Sequence, residues 1–352
     1  MIMQTKIWTV DKTVDKNDDY PQVVDAAQKL KAGELIAFPT ETVYGLGANA
    51  LISESVAGIY QAKGRPSDNP LIVHIGDKEQ LNGLVAEIPE VAEKLIDRFW
   101  PGPLTLIFQK REGLFPDVVT AGLATVAIRM PDHPVALALL KHAGCPTAAP
   151  SANLSGKPSP TTAEHVYEDL EGKIAGIVDG GPTGVGLEST VLDVTGEVPQ
   201  ILRPGGITKE QLEEVVEEVE IDPGLMKESD APKAPGMKYK HYAPKAPLTL
   251  VDGTPKFIQT LINEERALGK KVGMYTVNEN VHLYDADVVI AGGSREELST
   301  VAEKMYGVLR QFDKEQPDLI FGEVFSEDGI GQAIMNRLKK AAGGRIVKQD
   351  KF

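Results

Sequence analysis

Lys63 and Arg65 flank Gly64 in the stretch A-K-G-R-P-S-D-N-P-L-I-V-H-I (62–75), within a chain of net charge −14. Gly64 and Pro66 are accounted for by a turn, but a turn requires neither cation. If the segment is extended, alternate residues point the same way, so Lys63, Arg65 and Ser67 present two charges and a hydroxyl to one oxyanion cluster. Arginine forks onto two phosphate oxygens, whereas lysine acts as a point charge. Two further loops carry suitable groups. A-P-S-A-N-L-S-G-K-P-S-P-T (149–161) gathers hydroxyls and turn residues after an apolar strand, and G-V-G-L-E-S-T-V-L-D-V (184–194) feeds Ser189 and Thr190 into another. Taken singly, each is also the composition of a solvated loop. Arg129, closing A-T-V-A-I-R, is odder, because a cation ending an apolar strand needs an anionic partner. His74 in L-I-V-H-I reads, by itself, as a core histidine.

Other chemistries find little support. There is no G-x-x-x-x-G-K-[ST], and G-L-G-A-N-A (45–50) fits a dinucleotide fingerprint loosely, since Pro39 to Tyr44 separate it from the preceding strand. A-G-G-S (291–294) joins a strand to an expected helix N-terminus, a generic anion-binding geometry that is also an ordinary tight turn. Six histidines without metal-ligand spacing argue against a metal site built from protein alone. The single cysteine, Cys145, excludes an intrachain disulfide and reads as buried packing. The acidic balance argues against broad nucleic-acid binding. No apolar run approaches the roughly 18 residues of a membrane span, and Met1 to Tyr20 lacks a signal-peptide core, so a cytoplasmic protein is expected.

The elements positioning these loops follow from periodicity. Helical spacing covers 23–33, 53–63 with Ser53 as N-cap, 89–99, 134–142 and 162–170, and Thr208–Gln211 forms a capping box. Apolar strands are expected at 34–38, 71–75, 104–108, 124–129, 146–149, 174–178, 190–194 and 200–202. Such irregular mixing predicts an α/β sheet that is not purely parallel. At 352 residues two domains are the default: 1–221, a proline-rich linker over 222–247, and a small doubly wound α/β domain over 248–352. The last alternates strands at 248–252, 271–275, 287–291 and 318–322 with helices at 255–268, 294–313 (capping box Ser294–Glu297) and 330–341.

F-P-T-E-T-V-Y-G-L-G, K-G-R-P-S-D-N-P-L-I-V-H-I, P-S-A-N-L-S-G and R-P-G together resemble the YrdC/Sua5 family, the threonylcarbamoyl-AMP synthases that begin t6A modification of tRNA. A-P-G-M-K-Y-K-H-Y-A-P resembles the linker of its long, two-domain form. The resemblance implies a YrdC-like twisted mixed sheet followed by a Rossmann-like domain. It also implies condensation of L-threonine, bicarbonate or CO2, and ATP with Mg2+ into threonylcarbamoyl-adenylate and diphosphate, for use by the tRNA-modifying transferase machinery. The family's Lys, Arg, Ser, Asn signature falls on Lys63, Arg65, Ser151 and Asn153. By the same resemblance Lys63, Arg65, Ser67, Thr125, Ser151, Asn153, Ser159, Arg203 and Tyr242 would meet ATP, with no protein metal ligand. Thr40, His74, Arg129, Ser189 and the backbone of Ala149 would hold threonine, Arg129 pairing its carboxylate. A flap bearing Tyr239 and Tyr242 would exclude water from the reactive anhydride. Two other readings stay open: an RNA-binding accessory protein, and a carbamoyltransferase that uses carbamoyl phosphate.

Overall fold

The computed structural model describes residues 4–10, 21–225 and 241–350. Contacts divide the chain into two compact units, Met1–Ser155 with Ser159–Tyr239, and Gly156–Pro158 with Lys240–Phe352. The three-residue excursion was not anticipated, and it lies inside the hydroxyl-rich loop that follows residue 149.

The first unit is built on eleven strands: β1 (Lys6–Thr9), β2 (Ile36–Phe38), β3 (Gly45–Asn49), β4 (Ile72–His74), β5 (Leu104–Gln109), β6 (Thr125–Arg129), β7 (Thr147–Ala148), β8 (Gly176–Asp179), β9 (Thr190–Asp193), β10 (Gln200–Arg203) and β11 (Glu220–Ile221). They form one mixed sheet in the order β1-β8-β2-β3-β7-β4-β6-β5-β9-β10-β11. The expected α/β class is therefore observed. G-L-G-A-N proves to be β3, a buried strand antiparallel to both β2 and β7, which ends any dinucleotide reading.

Helices cover the sheet as their patterns require. Glu90–Phe99 turns Ala92, Leu95, Ile96 and Phe99 into the core and its charges outward. Pro134–Ala143 is apolar almost all round, and its Val135 to Leu140 run is buried against Val23, Ala26, Ala27 and Leu30 of Pro21–Lys31 and its sheet neighbours. The Thr208 capping box forms as expected. Ser53 is the first helical residue rather than the cap, and Ile52 ahead of it has no side-chain acceptor to offer.

The second unit carries β12 (Leu248–Asp252), β13 (Val272–Thr276), β14 (Val288–Ala291), β15 (Leu319–Glu323) and β16 (Ile346–Lys348), all parallel, in the order β14-β13-β15-β12-β16. It contains a separate core around Val251, Ile258, Ile262, Val272 and Met274. The expected capping box at Ser294 is absent: the helix spans Leu298–Glu315, and Ser294 instead donates to the Glu279 carboxylate. That carboxylate also accepts the Arg295 N–H, so A-G-G-S leads into an anion pocket already filled by the protein itself. Among the described residues, no helix is long and apolar enough to cross a membrane.

Candidate functional site

Strand alternation sorts the candidates onto one face of the first sheet. Val73, Leu106, Ile128 and Leu192 point into the main core, so their strand neighbours point the other way. There Ile72, Ile107, Ala127, Val191 and Leu202 form a small apolar floor. His74, Thr105, Thr125, Arg129 and Ser189 share the parity of that floor and form its polar continuation. β4 and β6 are parallel neighbours, and their register sets His74 beside Arg129. Thr125 begins β6 and Arg129 ends it, about 13 Å apart along the strand.

Arg129 is 3% exposed. Its Nε donates to the Gly102 carbonyl at 3.2 Å and its Nη1 to Thr42 Oγ1 at 3.0 Å. Thr42 Oγ1 in turn lies 2.8 Å from Thr40 Oγ1, which donates to the Val43 carbonyl. The anionic partner that such a cation needs is Glu41, 2.6 Å from Nη2. Beside this pair, burial and then the Arg129 charge pull the His74 imidazole down to about 3, so it is neutral at physiological pH. Ala149 N–H is already committed to the Ile72 carbonyl, which fixes the backbone next to His74.

Arg203 is 5% exposed. Its Nη2 donates to both the carbonyl (2.8 Å) and the hydroxyl (3.0 Å) of Ser189, whose Oγ also lies 2.8 Å from Thr105 Oγ1. The R-P-G turn closes tightly on this strand. A Cβ on Gly205 would stand 2.3 Å from the Thr190 nitrogen and 2.4 Å from the Glu188 carbonyl oxygen, so only glycine fits. Ser159 Oγ donates to Glu188 at 2.6 Å, joining the 159 and 188 loops.

The opening reading of Lys63, Arg65 and Ser67 as one extended row fails. The helix Ser53–Lys63 includes Lys63, and Gly64 at φ +61° caps it, its N–H returning to Gln61 and the Arg65 N–H to Tyr60. Lys63 is thereby turned inward. Its Nζ donates to the carbonyls of Ser151 and Asn153 and lies 3.4 Å from Asn153 Oδ1. Ser151 Oγ donates to the same Oδ1 at 2.6 Å. Three signature residues thus meet, with lysine organising the P-S-A-N loop. The Arg65 guanidinium lies 6.0 Å from the Tyr60 ring, and Ser67 is exposed.

Tyr242 belongs to the second unit. Its ring is 5% exposed, 5.3 Å from the Tyr306 ring and 5.6 Å from the Arg337 guanidinium. Tyr239 lies outside the described residues. Glu41, Thr42, Thr105 and Glu188 were not singled out from the sequence. The one available signal was a carboxylate wedged between two threonines in F-P-T-E-T. Among the described residues, no three histidine, cysteine or carboxylate side chains converge to hold a metal.

The family described as telomere recombination, that of Sua5, YciO and YrdC, matches residues 28–205. The C-terminal domain of threonylcarbamoyl-AMP synthase matches residues 207–343. A threonylcarbamoyl-AMP synthase of Bacillus subtilis is 56% identical over 98% of this chain and 100% of its own length. One from Pyrococcus abyssi is 51% identical over 92% of this chain and 94% of its own. The crystal structure of Pyrococcus abyssi Sua5 complexed with L-threonine superposes with a TM-score of 0.92 at 48% identity, covering 98% of this chain and 100% of that one.

Proposed function

Because this chain belongs to the Sua5/YrdC family of threonylcarbamoyl-AMP synthases, we propose that it joins L-threonine, bicarbonate or CO2, and ATP into threonylcarbamoyl-adenylate and diphosphate. The observation that carries the substrate assignment is Arg129, a buried cation among threonine hydroxyls that presents Nη2 to a carboxylate. The substrate's carboxylate would take that position, with Thr40, Ser189 and neutral His74 around the rest of the amino acid. A neutral imidazole adds no positive charge there, and it can donate from one nitrogen and accept at the other.

In the reaction the uncharged amine forms a C–N bond to the carbon of CO2 and releases a proton. A carbamate oxygen then attacks the α-phosphorus of ATP, and the bond from that phosphorus to the β-phosphate oxygen breaks. Negative charge collects on the departing diphosphate, where fixed cations stabilise it most effectively. Arg65 and Ser67 would meet the phosphates. Lys63 acts mainly by shaping the loop of Ser151 and Asn153, and Thr125, Ser159 and Arg203 complete the proposed nucleotide set. Mg2+ would arrive on the nucleotide, held by phosphates and water. The adenylate, a mixed anhydride, would pass to the tRNA-modifying transferase machinery.

The test is release of diphosphate from MgATP. It is expected only when threonine and bicarbonate are both present. Equal release without threonine would overturn the assignment, and turnover of carbamoyl phosphate in their place would favour the carbamoyltransferase reading.

A further inference from the structure

Glu41 sits where an incoming substrate would need room. Its side chain is 12% exposed and its carboxylate stands 2.6 Å from Arg129 Nη2. Yet among the described residues neither carboxylate oxygen accepts a hydrogen bond of proper direction, and Nη2 finds no aligned acceptor either. The remaining guanidinium contacts are well made: Nε on the Gly102 carbonyl and Nη1 on Thr42. One edge of a buried cation is therefore neutralised by charge but left unmatched in geometry, and the unmatched group is the chemical equal of an amino-acid carboxylate. The Glu41 backbone is immobile by comparison, because its carbonyl accepts the N–H groups of Gly184 (3.1 Å) and Val185 (2.7 Å). Rotation of the side chain alone would free Nη2.

We infer that Glu41 is the resident counter-ion of Arg129, holding the place of the substrate carboxylate in the empty site and yielding it on binding. This rests on the reading that Arg129 takes the threonine carboxylate. Two consequences follow from the chemistry. Arg129 keeps an anion while the site is empty, so a buried cation is not left bare. A ligand must also bring its own carboxylate to displace Glu41, so the competition acts on α-carboxylates and not on amino alcohols of the same shape, which have nothing to offer Arg129 in its place. The cost is apparent affinity, since only the fraction of molecules with the pair open can bind.

Isothermal titration of the full chain with L-threonine and with threoninol tests this, using wild type, Glu41→Gln, Glu41→Asp and Arg129→Leu. Glutamine removes the competing charge, and aspartate draws it back by one methylene. Both are expected to bind threonine about tenfold more tightly, as for a pair closed roughly nine-tenths of the time. Threoninol should gain nothing in either. Unchanged or weaker threonine binding in the folded Gln and Asp variants overturns the place-holder role while leaving the Arg129 assignment standing. Wild-type affinity in Arg129→Leu overturns the assignment itself, and the place-holder with it. Should Glu41→Gln fail to fold, Glu41→Asp decides alone.

Discussion

His74 shows how a residue's chemistry is set by its strand rather than by its type. Placed on β4 beside Arg129 and away from water, it holds its proton only near pH 3, against 6.5 for an exposed imidazole. In the unfolded chain it regains the ordinary value. Above pH 6.5 both states are neutral, and this group does not make stability depend on pH. Below 6.5 the unfolded chain takes up a proton that the folded one refuses, so stability is lost progressively as pH falls towards 3. The contribution from this one group approaches about 1.4 kcal/mol per pH unit. His74→Asn is expected to flatten the stability profile between pH 6 and 4 relative to wild type in urea titrations. Parallel profiles would show that the ring is not held neutral by its surroundings. Arg129 makes the complementary point. That it needed an anion was legible from its place at the end of A-T-V-A-I-R. That the anion is Glu41, 88 positions earlier, was not, because only the sheet brings the two together.

At the scale of elements, the apolar runs announced β4, β5, β6, β9 and β10, the strands that carry most of the site, and their alternation fixed which residues share its face. What escaped had physical causes. β3 reads G-L-G-A-N, without the branched residues that mark strands, and is held by pairing on both sides. The helix expected from Ser294 starts later because Glu279, from another part of the fold, takes the serine hydroxyl. Lys63 turned inward because its helix runs to the residue before Gly64. The R-P-G turn gives the sharpest test of element packing. Gly205→Ala forces a methyl group to within 2.3 Å of the β9 backbone, which cannot yield without dislodging Ser189 from Arg203. A loss of about 3 kcal/mol is expected by chemical denaturation, together with a fall in diphosphate release. Gly184→Ala, which meets nothing within 4 Å, should be nearly silent in both measurements. Equal tolerance at the two positions would mean that the turn is not closed on β9.

For the molecule as a whole, all eleven strands described in the first sheet precede residue 222, so a chain ending at Leu225 retains them. It lacks, however, the partners of Gly156 and Pro158, whose carbonyls accept from Ala243 N–H (3.0 Å) and Arg310 Nη2 (2.7 Å) in the second unit. Such a chain is expected to unfold cooperatively with native strand content by circular dichroism. Diphosphate release should nevertheless drop at least tenfold, because the loop between Ser155 and Ser159 loses its two anchors. Full activity would show that those anchors are dispensable. The same connectivity governs how the protein is made. β1 pairs with β8, Lys6 opposite Gly176, so β1 leaves the ribosome and waits for some 170 residues of further synthesis before its partner exists. During that interval its hydrogen-bonding edge is unoccupied, and the exposed edge of a nascent strand is where chaperones act and where neighbouring chains mispair. Of the strands of this sheet, the one made first is therefore paired only after most of the others have been synthesised.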